Sequence, residues 1–369
     1  MKISNPNDAL STSYHIRNVH IPSRFFLAPI NTGFCRDGVP KSGLRSFHAQ
    51  RSGRRIGVSY VGNVAVHPDL ALSLTTGDLR HRASWGVIAD SLRENGSVGG
   101  IQIAAKVTKR RSSLKWRNLH SKRDLACDQK EISELSTDAV RTIVRQFIDA
   151  AIVAYECGFA IVQIHAAHGY FLSQLLCPHI NRRTDMYGTN PTSALCEIIE
   201  GIRSLNQRVL IDVRFSMRNG IDSFDTELEK TAEAVERVIA SGVDIISLSN
   251  GMYDVDRFDI YPTVRRGHAC YLSDALRLAA KHQGVLWNIA GNVWDLRALA
   301  ADLDAHMSVS IGRSLIANPN FIQQSLDQSG VVSGCERCGH CHYYSRSRPH
   351  IECGVNAQVG EGDDRLSDL

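Results

Sequence analysis

Four cysteines near the end of the printed sequence have a spacing typical of ligands to one metal centre. They form the pattern Cys335-x2-Cys338-x2-Cys341-x11-Cys353, and loops of two residues allow successive thiolates to reach the same ion or cluster. Zinc ligands more often come as two separated pairs, so three close cysteines and one distant cysteine favour an iron–sulfur cluster. The spacing therefore predicts a [4Fe-4S] cluster, with zinc as the alternative, and redox chemistry elsewhere in the chain.

The bulk composition limits where this chemistry takes place. The other six of the ten cysteines are scattered without a pairing pattern, which is typical of a reducing compartment. Residues 1–26 are polar and contain no continuous apolar stretch of the kind found in secretory signals and membrane spans. We therefore expect a cytoplasmic protein with no membrane association. The net charge of +4 is too small for 369 residues to predict nucleic-acid binding by itself.

The segments that must position these residues alternate between two kinds. From residue 25 to about residue 321, short apolar runs rich in β-branched residues alternate with amphipathic helical stretches, which is typical of a parallel α/β protein. Eight such runs, in a chain long enough for a barrel of about 250 residues with insertions, predict a (β/α)8 TIM barrel over residues 1–330. Residues 331–369 then form a cysteine-rich extension. The predicted strands cover residues 25–29, 58–64, 100–104, 160–165, 209–215, 244–249, 286–290 and 307–312.

The helices between the strands are predicted from apolar periodicity and from glycine at helix ends. Gly158 and Gly242 mark two predicted helix ends. In a barrel of this kind the carboxyl ends of the strands form the catalytic face, so the chemistry is expected there. One predicted apolar helix face consists of Leu195, Ile198, Ile199, Ile202 and Leu205.

The segment VQIHAAHGYFLSQLLCPHINRRTDMYG, residues 162–188, begins in the predicted fourth strand. It resembles the signature of the old yellow enzyme family of FMN-dependent oxidoreductases, in the branch that includes bacterial 2,4-dienoyl-CoA reductases and trimethylamine dehydrogenase. The resemblance extends from about Arg24 to Cys353. It implies FMN as a cofactor, NAD(P)H as the reductant and a small molecule as the substrate.

Within that segment the resemblance implies a catalytic role for His165, His168 and Tyr170. Two imidazoles at one strand end can donate hydrogen bonds to a carbonyl or enolate oxygen and so polarise an activated alkene. Hydride from reduced flavin then reaches the β-carbon, and Tyr170 protonates the α-carbon. A metal site formed by the two histidines is the alternative. Residues 181–185, which also match the family, are interpreted as a salt-bridged loop that shapes the site.

Each part of FMN has a candidate partner at a predicted strand end. The resemblance implies that Gln102 faces the pyrimidine ring and that Arg214 stabilises the anionic reduced flavin. The segment implied to lie under the isoalloxazine includes Pro29, Ile30, Asn31 and Thr32. The last two predicted strands end where barrels commonly hold phosphate, and they are followed by Gly291, Asn292, Gly312 and Arg313.

Two departures from the family pattern bear on these sites. Residues 103–106 read IAAK where the family often has a histidine-rich stretch, so this wall of the pocket is less polar and we expect a different substrate preference. Asn292 replaces a frequent glycine, although its backbone amide can still bind phosphate.

Reduction of an alkene conjugated to a carbonyl or thioester is the main prediction, and two alternatives stay open. The x2 spacing between Cys338 and Cys341 is nearer to the amine dehydrogenase arrangement than to that of the dienoyl-CoA reductases, so oxidation of an amine or alicyclic substrate is the first. The second is a zinc-stabilised RNA-binding barrel, in which the basic segment 106–123 with Trp116 contacts RNA. That segment would also suit a coenzyme A phosphate or a nucleotide, or form a solvated loop.

The supply of electrons is also open at this point. The multidomain relatives continue beyond the cysteines into modules that bind FAD or ADP and nicotinamide, whereas this sequence contains no Gly-x-Gly-x-x-Gly segment. Either NAD(P)H reduces the FMN directly, or an external electron-transfer protein supplies electrons through the cluster. The sequence leaves homo-oligomer formation undecided.

Overall fold

The computed structural model describes residues 12–53, 55–108, 122–253, 255, 260, 272–282, 284–327 and 332–359. Its strands are β1 (Tyr14–Ile16), β2 (Val19–Ile21), β3 (Phe25–Ile30), β4 (Cys35–Arg36), β5 (Val39–Pro40), β6 (Val58–Ala65), β7 (Gly77–Asp78), β8 (Val98–Ala104), β9 (Ile161–Ala166), β10 (Leu210–Ser216), β11 (Ile245–Ser249), β12 (Leu286–Ala290) and β13 (Met307–Ile311). Its α-helices are α1 (Ser42–Ala49), α2 (Arg82–Glu94), α3 (Lys122–Glu134), α4 (Thr137–Glu156), α5 (Phe171–Leu176), α6 (Met186–Thr189), α7 (Ser193–Leu205), α8 (Phe224–Ala240), α9 (Leu272–Ala279), α10 (Leu296–Asp302), α11 (Arg313–Ala317) and α12 (Phe321–Asp327). Short 3-10 helices cover Pro68–Leu70 and Tyr343–Arg346.

Eight of these strands form a closed parallel barrel. Around the circle the order is β3, β6, β8, β9, β10, β11, β12 and β13, and β13 pairs with β3. Each corresponds to a predicted strand, with ends shifted by at most two residues, so the predicted (β/α)8 barrel is confirmed. Because the strands are parallel, their carboxyl ends all lie at one mouth of the barrel.

The opposite mouth is sealed by apolar side chains. Phe26, Val58, Ile161 and Leu210 lie near the amino ends of their strands and form one buried cluster with Ile21 of β2. The hairpin β1–β2 therefore packs across the amino mouth. A ligand has to enter from the carboxyl mouth.

The helices confirm the predicted ends and correct one predicted face. The Ser136 side chain caps α4 by accepting a hydrogen bond from the Ala139 backbone N–H. Gly158 and Gly242 follow α4 and α8 with φ of +97° and +98°, in the left-handed region that ends helices. Four of the five apolar residues predicted to share one face of α7 are buried, but Leu205 is 66% exposed. The prediction for Leu205 is wrong because α7 ends at this residue and the next residue is extended, so no further helical turn packs beside it.

The extension, residues 332–359 as described, packs on the loop that follows β3. The Ile351 backbone N–H donates to the Thr32 carbonyl oxygen at 2.9 Å, and Asn356 Nδ2 donates to the Ile316 carbonyl oxygen at 2.9 Å. Gly33 has a φ of +79°, and a Cβ there would lie 2.6 Å from the His350 Cα. Glycine at this position therefore permits the close approach of the extension to the barrel.

Some predicted features lie outside the described residues. Residues 109–121, which contain Trp116 and most of the predicted basic segment, are among them, as is Cys270. Among the residues that the structure describes, no helix is both long and apolar enough to cross a bilayer.

Candidate active site

A cavity of about 440 Å³ opens at the carboxyl mouth of the barrel. All eight barrel strands or the loops after them contribute to its wall, together with the extension. The structure thus brings the predicted substrate, flavin, phosphate and cysteine residues to one space. The predicted site residues that line it are Pro29, Ile30, Asn31, Gln102, His165, His168, Tyr170, Arg214, Gly291, Asn292, Gly312, Arg313, Cys335 and Cys341.

Three predicted site residues, Thr32, Cys338 and Cys353, are not part of this lining. Thr32 is buried, and its hydroxyl accepts a hydrogen bond from the Phe34 backbone N–H at 3.4 Å. Because its carbonyl oxygen also anchors the extension, Thr32 supports the loop after β3. A direct contact between Thr32 and FMN stays a prediction.

The two histidines and Tyr170 form one wall of the cavity. His165 is on β9, and the chain turns sharply just after this strand because His168 and Gly169 have φ of +63° and +82°. The centroid of the His165 ring lies 5.0 Å from the centroid of the His168 ring and 5.0 Å from that of the Tyr170 ring. His168 Nε2 is 2.9 Å from the Ser249 hydroxyl on β11, which fixes the second ring. A single ligand can therefore contact all three side chains.

The His165 ring is a neutral hydrogen-bonding group. Burial, and next the positive charge of Arg214, hold the pKa of His165 well below its usual range. Its Nδ1 is buried and has no hydrogen-bond partner among the described residues. Buried polar atoms are normally paired, so this ring has capacity for a bond to a ligand oxygen.

Arg214 supplies a buried positive charge from β10. Its Nη2 donates to the Ser249 hydroxyl at 3.2 Å, whereas its buried Nε finds no partner in the described part of the chain. Burial lowers the pKa of Arg214 and the charge of Asp212 raises it, but a guanidinium stays protonated in proteins. The Nε–H of Arg214 is therefore available to donate a hydrogen bond to an anionic flavin ring in the cavity.

Gln102 is oriented by a hydrogen-bond chain that crosses the barrel interior. Its Nε2 donates to Gln163 Oε1 at 2.6 Å, and Gln163 Nε2 donates to Asp212 Oδ2 at 2.6 Å. Because a carboxylate only accepts, Asp212 fixes which end of Gln163 faces it, and Gln163 in turn fixes Gln102. The Gln102 carbonyl oxygen is thereby left to accept a hydrogen bond, as the N3–H of a flavin requires.

Asp212 is the buried acid of this interior. Burial raises the pKa of Asp212 to about 6, although hydrogen bonds from Tyr60, Gln163 and Ser247 oppose the shift. Tyr60 donates to its Oδ2 at 2.6 Å and Ser247 at 2.8 Å. These partners hold the carboxylate in the layer below the cavity floor, on the same strand as Arg214.

The adjacent strands β12 and β13 end in a region suited to phosphate. Gly291 and Asn292 follow β12 with φ of +138° and +50°. Gly312 precedes the first residue of α11, Arg313, and the first backbone N–H groups of a helix have no partner within it. Such N–H groups beside an arginine are complementary to a phosphate.

The four predicted ligand cysteines lie near one another in the extension. The pKa of Cys341 is raised to about 12 by burial and then by the charge of Cys335, with smaller contributions from Cys338 and Cys353. Within the described residues, no group of three or more His, Cys, Asp or Glu side chains has the geometry of a bound metal ion. The other three thiols therefore lie close enough to Cys341 to influence its ionisation.

Residues 181–185 form the salt-bridged loop expected from the sequence. Arg183 Nε donates to Asp185 Oδ1 at 3.0 Å, and Arg183 Nη1 donates to the Ile132 carbonyl oxygen at 2.8 Å. Asn181 Nδ2 donates to the carbonyl oxygens of Leu175 and Tyr187. None of residues 181–185 lines the cavity, which fits a structural role.

Several lining residues were missed as site residues by sequence reasoning: Asn63, Tyr253, Arg337 and Tyr343. Lys106, the last residue of the predicted pocket wall 103–106, also lines the cavity. Tyr253 lies four residues after β11, so the strand-end rule would have found it. Arg337 and Tyr343 carry no comparable signal, because their positions depend on how the extension folds back. The Tyr343 hydroxyl donates to Asn31 Oδ1 at 2.8 Å.

Comparison with known proteins gives both sequence and structural matches. Residues 12–329 match the model of the NADH:flavin oxidoreductase / NADH oxidase family. The NADPH dehydrogenase of Bacillus velezensis is 25% identical over 331 residues, which are 86% of this chain and 94% of that protein. The NADPH dehydrogenase of Bacillus subtilis is 26% identical over the same shares of the two chains.

Solved structures share the fold at lower sequence identity. A 2-naphthoyl-CoA reductase complex with 2-naphthoyl-CoA has a TM-score of 0.80 at 16% identity, covering 96% of this chain and 58% of that one. Histamine dehydrogenase from Rhizobium sp. 4-9 has a TM-score of 0.78 at 18% identity, covering 97% and 53%. Old Yellow Enzyme from Pichia sp. AKU4542 has a TM-score of 0.69 at 16% identity, covering 88% and 89%. The chain thus spans little more than half the length of the first two structures.

Proposed function

Since the chain belongs to the NADH:flavin oxidoreductase / NADH oxidase family and is an FMN-dependent oxidoreductase, as the sequence resemblance implied, we propose that it reduces alkenes conjugated to a carbonyl or thioester. The observation that carries this proposal is the wall formed by His165, His168 and Tyr170, in which the rings of His168 and Tyr170 each lie 5.0 Å from the ring of His165. Two imidazoles beside a phenol can bind a carbonyl oxygen and supply a proton to a carbon of the substrate.

The cavity has donors and acceptors that fit FMN. Gln102 would meet the pyrimidine edge, Arg214 the anionic part of the ring, and Gly312 with Arg313 the phosphate. The buried, unpaired Nε of Arg214 and the helix start at Arg313 support this assignment. When bound and reduced, FMN supplies the hydride of the reaction.

The residues of the chain itself would act on the substrate oxygen and on the proton. His165 and His168 donate hydrogen bonds to the carbonyl oxygen, so they stabilise the negative charge that develops there when the β-carbon is reduced. A neutral His165 polarises this oxygen without protonating it. The Tyr170 hydroxyl then transfers its proton to the α-carbon as a general acid.

The charge of the cavity favours this reaction over amine oxidation. Four of its lining residues are cationic, and no Asp or Glu occurs among the described residues that line it. A substrate ammonium would find no carboxylate there to pair with, whereas an enolate is stabilised by the hydrogen-bond donors of the wall. The cationic lining residues are Lys106, Arg214, Arg313 and Arg337.

We also propose that Cys335, Cys338, Cys341 and Cys353 hold a [4Fe-4S] cluster. Each iron of such a cluster takes one thiolate, which matches a set of four cysteines. Three close cysteines and one distant cysteine favour the cluster over zinc, and the influence of the other three thiols on Cys341 supports one shared site. Since Cys335 and Cys341 line the same cavity as the flavin residues, electrons would pass between the two centres over a short path.

NADPH is the reductant we propose, because the relatives that match most of this chain are named NADPH dehydrogenases. The division at residue 330 into an FMN barrel and a cluster-binding extension belongs to the same proposal. So does a cytoplasmic site of action, which is supported by the unpaired thiols among the described cysteines.

The test uses the full chain purified under anaerobic conditions. Its absorption spectrum and its iron, acid-labile sulfide and zinc contents are measured, and NADPH or NADH is then added, followed by an enone, an enoyl thioester or an amine. We expect a flavin spectrum that NADPH bleaches and that the enone or thioester restores. Reduction of the flavin by the amine would overturn the proposal, and so would a protein that binds no flavin. Flavin that a nicotinamide cannot reduce would assign its reduction to an electron-transfer protein instead.

A further inference from the structure

The extension contributes a cation to the cavity in addition to its cysteines. Arg337 lies between Cys335 and Cys338 and lines the cavity. Its Nη2 donates to Asn292 Oδ1 at 2.7 Å, and its Nε is 3.3 Å from the same oxygen. The guanidinium is thereby held at the carboxyl end of β12, 45 residues earlier in the chain.

The backbone at Arg337 has a conformation that side chains rarely adopt. Its φ is +60°, in the left-handed region, which glycine enters without steric cost. Two local bonds hold this turn: the Arg337 backbone N–H donates to Cys335 Sγ at 3.2 Å, and Nη1 donates to the Cys335 carbonyl oxygen at 3.4 Å. An arginine where glycine would be easier indicates a use for its guanidinium.

The guanidinium of Arg337 lies at the end of the cavity that is suited to the phosphate of FMN. Asn292 follows β12 and Arg313 follows β13, and these two strands are hydrogen-bonded neighbours. Arg337 and Arg313 therefore face the same end of the cavity, where backbone N–H groups of α11 begin. Lys106, in contrast, follows β8, which is four strands from β12 around the barrel.

Two guanidinium groups at the same end of the cavity match a dianionic phosphate. The planar fork of arginine binds phosphate oxygens with paired, charge-assisted hydrogen bonds. We propose that Arg337 binds the FMN phosphate, so that the cysteine segment completes a cofactor site otherwise built by the barrel. This proposal rests on the FMN site of the proposed function, but not on the reaction or on the identity of the metal centre.

Comparison of FMN with riboflavin isolates the phosphate. The full chain is freed of flavin, and the dissociation constants of both flavins are measured for the wild type, R337Q, R337G and the control R348Q. Arg348 belongs to the same extension, but its side chain is 58% exposed and pairs with Glu352. R337G keeps a residue suited to the left-handed turn and removes the guanidinium.

We expect R337Q and R337G to weaken FMN binding about tenfold or more, because at least one charge-assisted hydrogen bond is lost. The dissociation constant of riboflavin should stay within about twofold of the wild-type value. R348Q should bind both flavins as the wild type does. An equal loss for FMN and riboflavin, or FMN affinity in R337G equal to the wild type, would overturn the phosphate role. A wild type that binds neither flavin would instead refute the proposed function, and equal iron contents in all variants show that the cysteine segment is intact.

Discussion

The wall of the cavity formed by the barrel and the wall formed by the extension differ in how their side chains are held. On the barrel wall, Gln102 and His165 are each 3% exposed and Arg214 is 7% exposed. The hydrogen-bond partners of Gln102 and Arg214 lie on the neighbouring strands β9 and β11. On the extension wall, Cys335 and Arg337 are half-buried and Cys338 is exposed. Contacts of the extension reach far along the sequence, as between Tyr343 and Asn31, 312 residues apart.

This difference indicates that the two walls are held in place by different means. Side chains on buried strands are fixed by the sheet itself, so the barrel wall is organised before any ligand binds. The extension lacks strands of its own among its described residues, so we expect its geometry to depend on the proposed cluster. The barrel wall is therefore the part suited to chemistry that needs precise hydrogen bonds.

The largest expected effect comes from the barrel wall. Tyr170→Phe removes the proposed proton donor while keeping the ring, so alkene reduction by the reduced enzyme should slow by about 10²–10⁴-fold, the usual contribution of a general acid. Reduction of the flavin by NADPH should be unchanged. The two half-reactions are followed separately by rapid-mixing absorbance, and equal slowing of both would show that Tyr170 is not a proton donor.

A change in the extension should affect the metal centre and spare the barrel. Cys338→Ser should abolish the cluster, because one of its four ligands is lost, whereas flavin reduction by NADPH should stay within a few-fold of the wild type. Iron and acid-labile sulfide are assayed beside the control Cys196→Ser, a cysteine of α7. Iron that survives in Cys338→Ser would show that this cysteine is not a ligand.

The buried acid below the flavin site should make stability depend on pH. The native pKa of Asp212 is raised from 3.8 to about 6, so the folded protein holds this proton more tightly than the unfolded chain does. Its contribution to the free energy of unfolding therefore falls as the pH rises from about 4 to about 6.5, by about 3 kcal/mol.

Asp212→Asn cannot titrate, so the free energy of unfolding of the wild type should fall relative to this variant over that pH range. Denaturant unfolding at several pH values measures the difference, with Asp149→Asn, an exposed residue of α4, as the control. A difference that stays constant with pH would contradict a titrating Asp212.

The smallest expected effect concerns the contact between the two walls. The buried Tyr343 hydroxyl donates to Asn31 Oδ1 at 2.8 Å and accepts from the Thr75 hydroxyl at 2.9 Å. Tyr343→Phe removes both hydrogen bonds, at a cost of about 1–2 kcal/mol. The docked extension should become easier to cleave by a protease, while the barrel unfolds at nearly the same denaturant concentration. Unchanged cleavage would mean that other contacts, such as that between Ile351 and Thr32, dominate the docking.

The sequence alone determined the barrel and most of its functional strand ends. Strand periodicity is a local property, and in a parallel barrel every strand end points to the same mouth, so the mouth at which His165, Gln102 and Arg214 lie was predictable without knowing the packing. The choice of Gln102 and Arg214 as flavin residues came from the family resemblance. The glycines at 158 and 242 were equally local signals, because a left-handed residue ends a helix wherever it stands.

Only the tertiary structure decided which long-range groups join them. The position of Asp212 below Gln102 depends on the pairing of β8, β9 and β10, and periodicity does not show which inward side chains become partners. Arg337 and Tyr343 enter the cavity because the extension returns to the loop after β3, a contact between segments some 300 residues apart. Such contacts depend on the shapes of both surfaces once folded, and no short stretch of sequence contains that information.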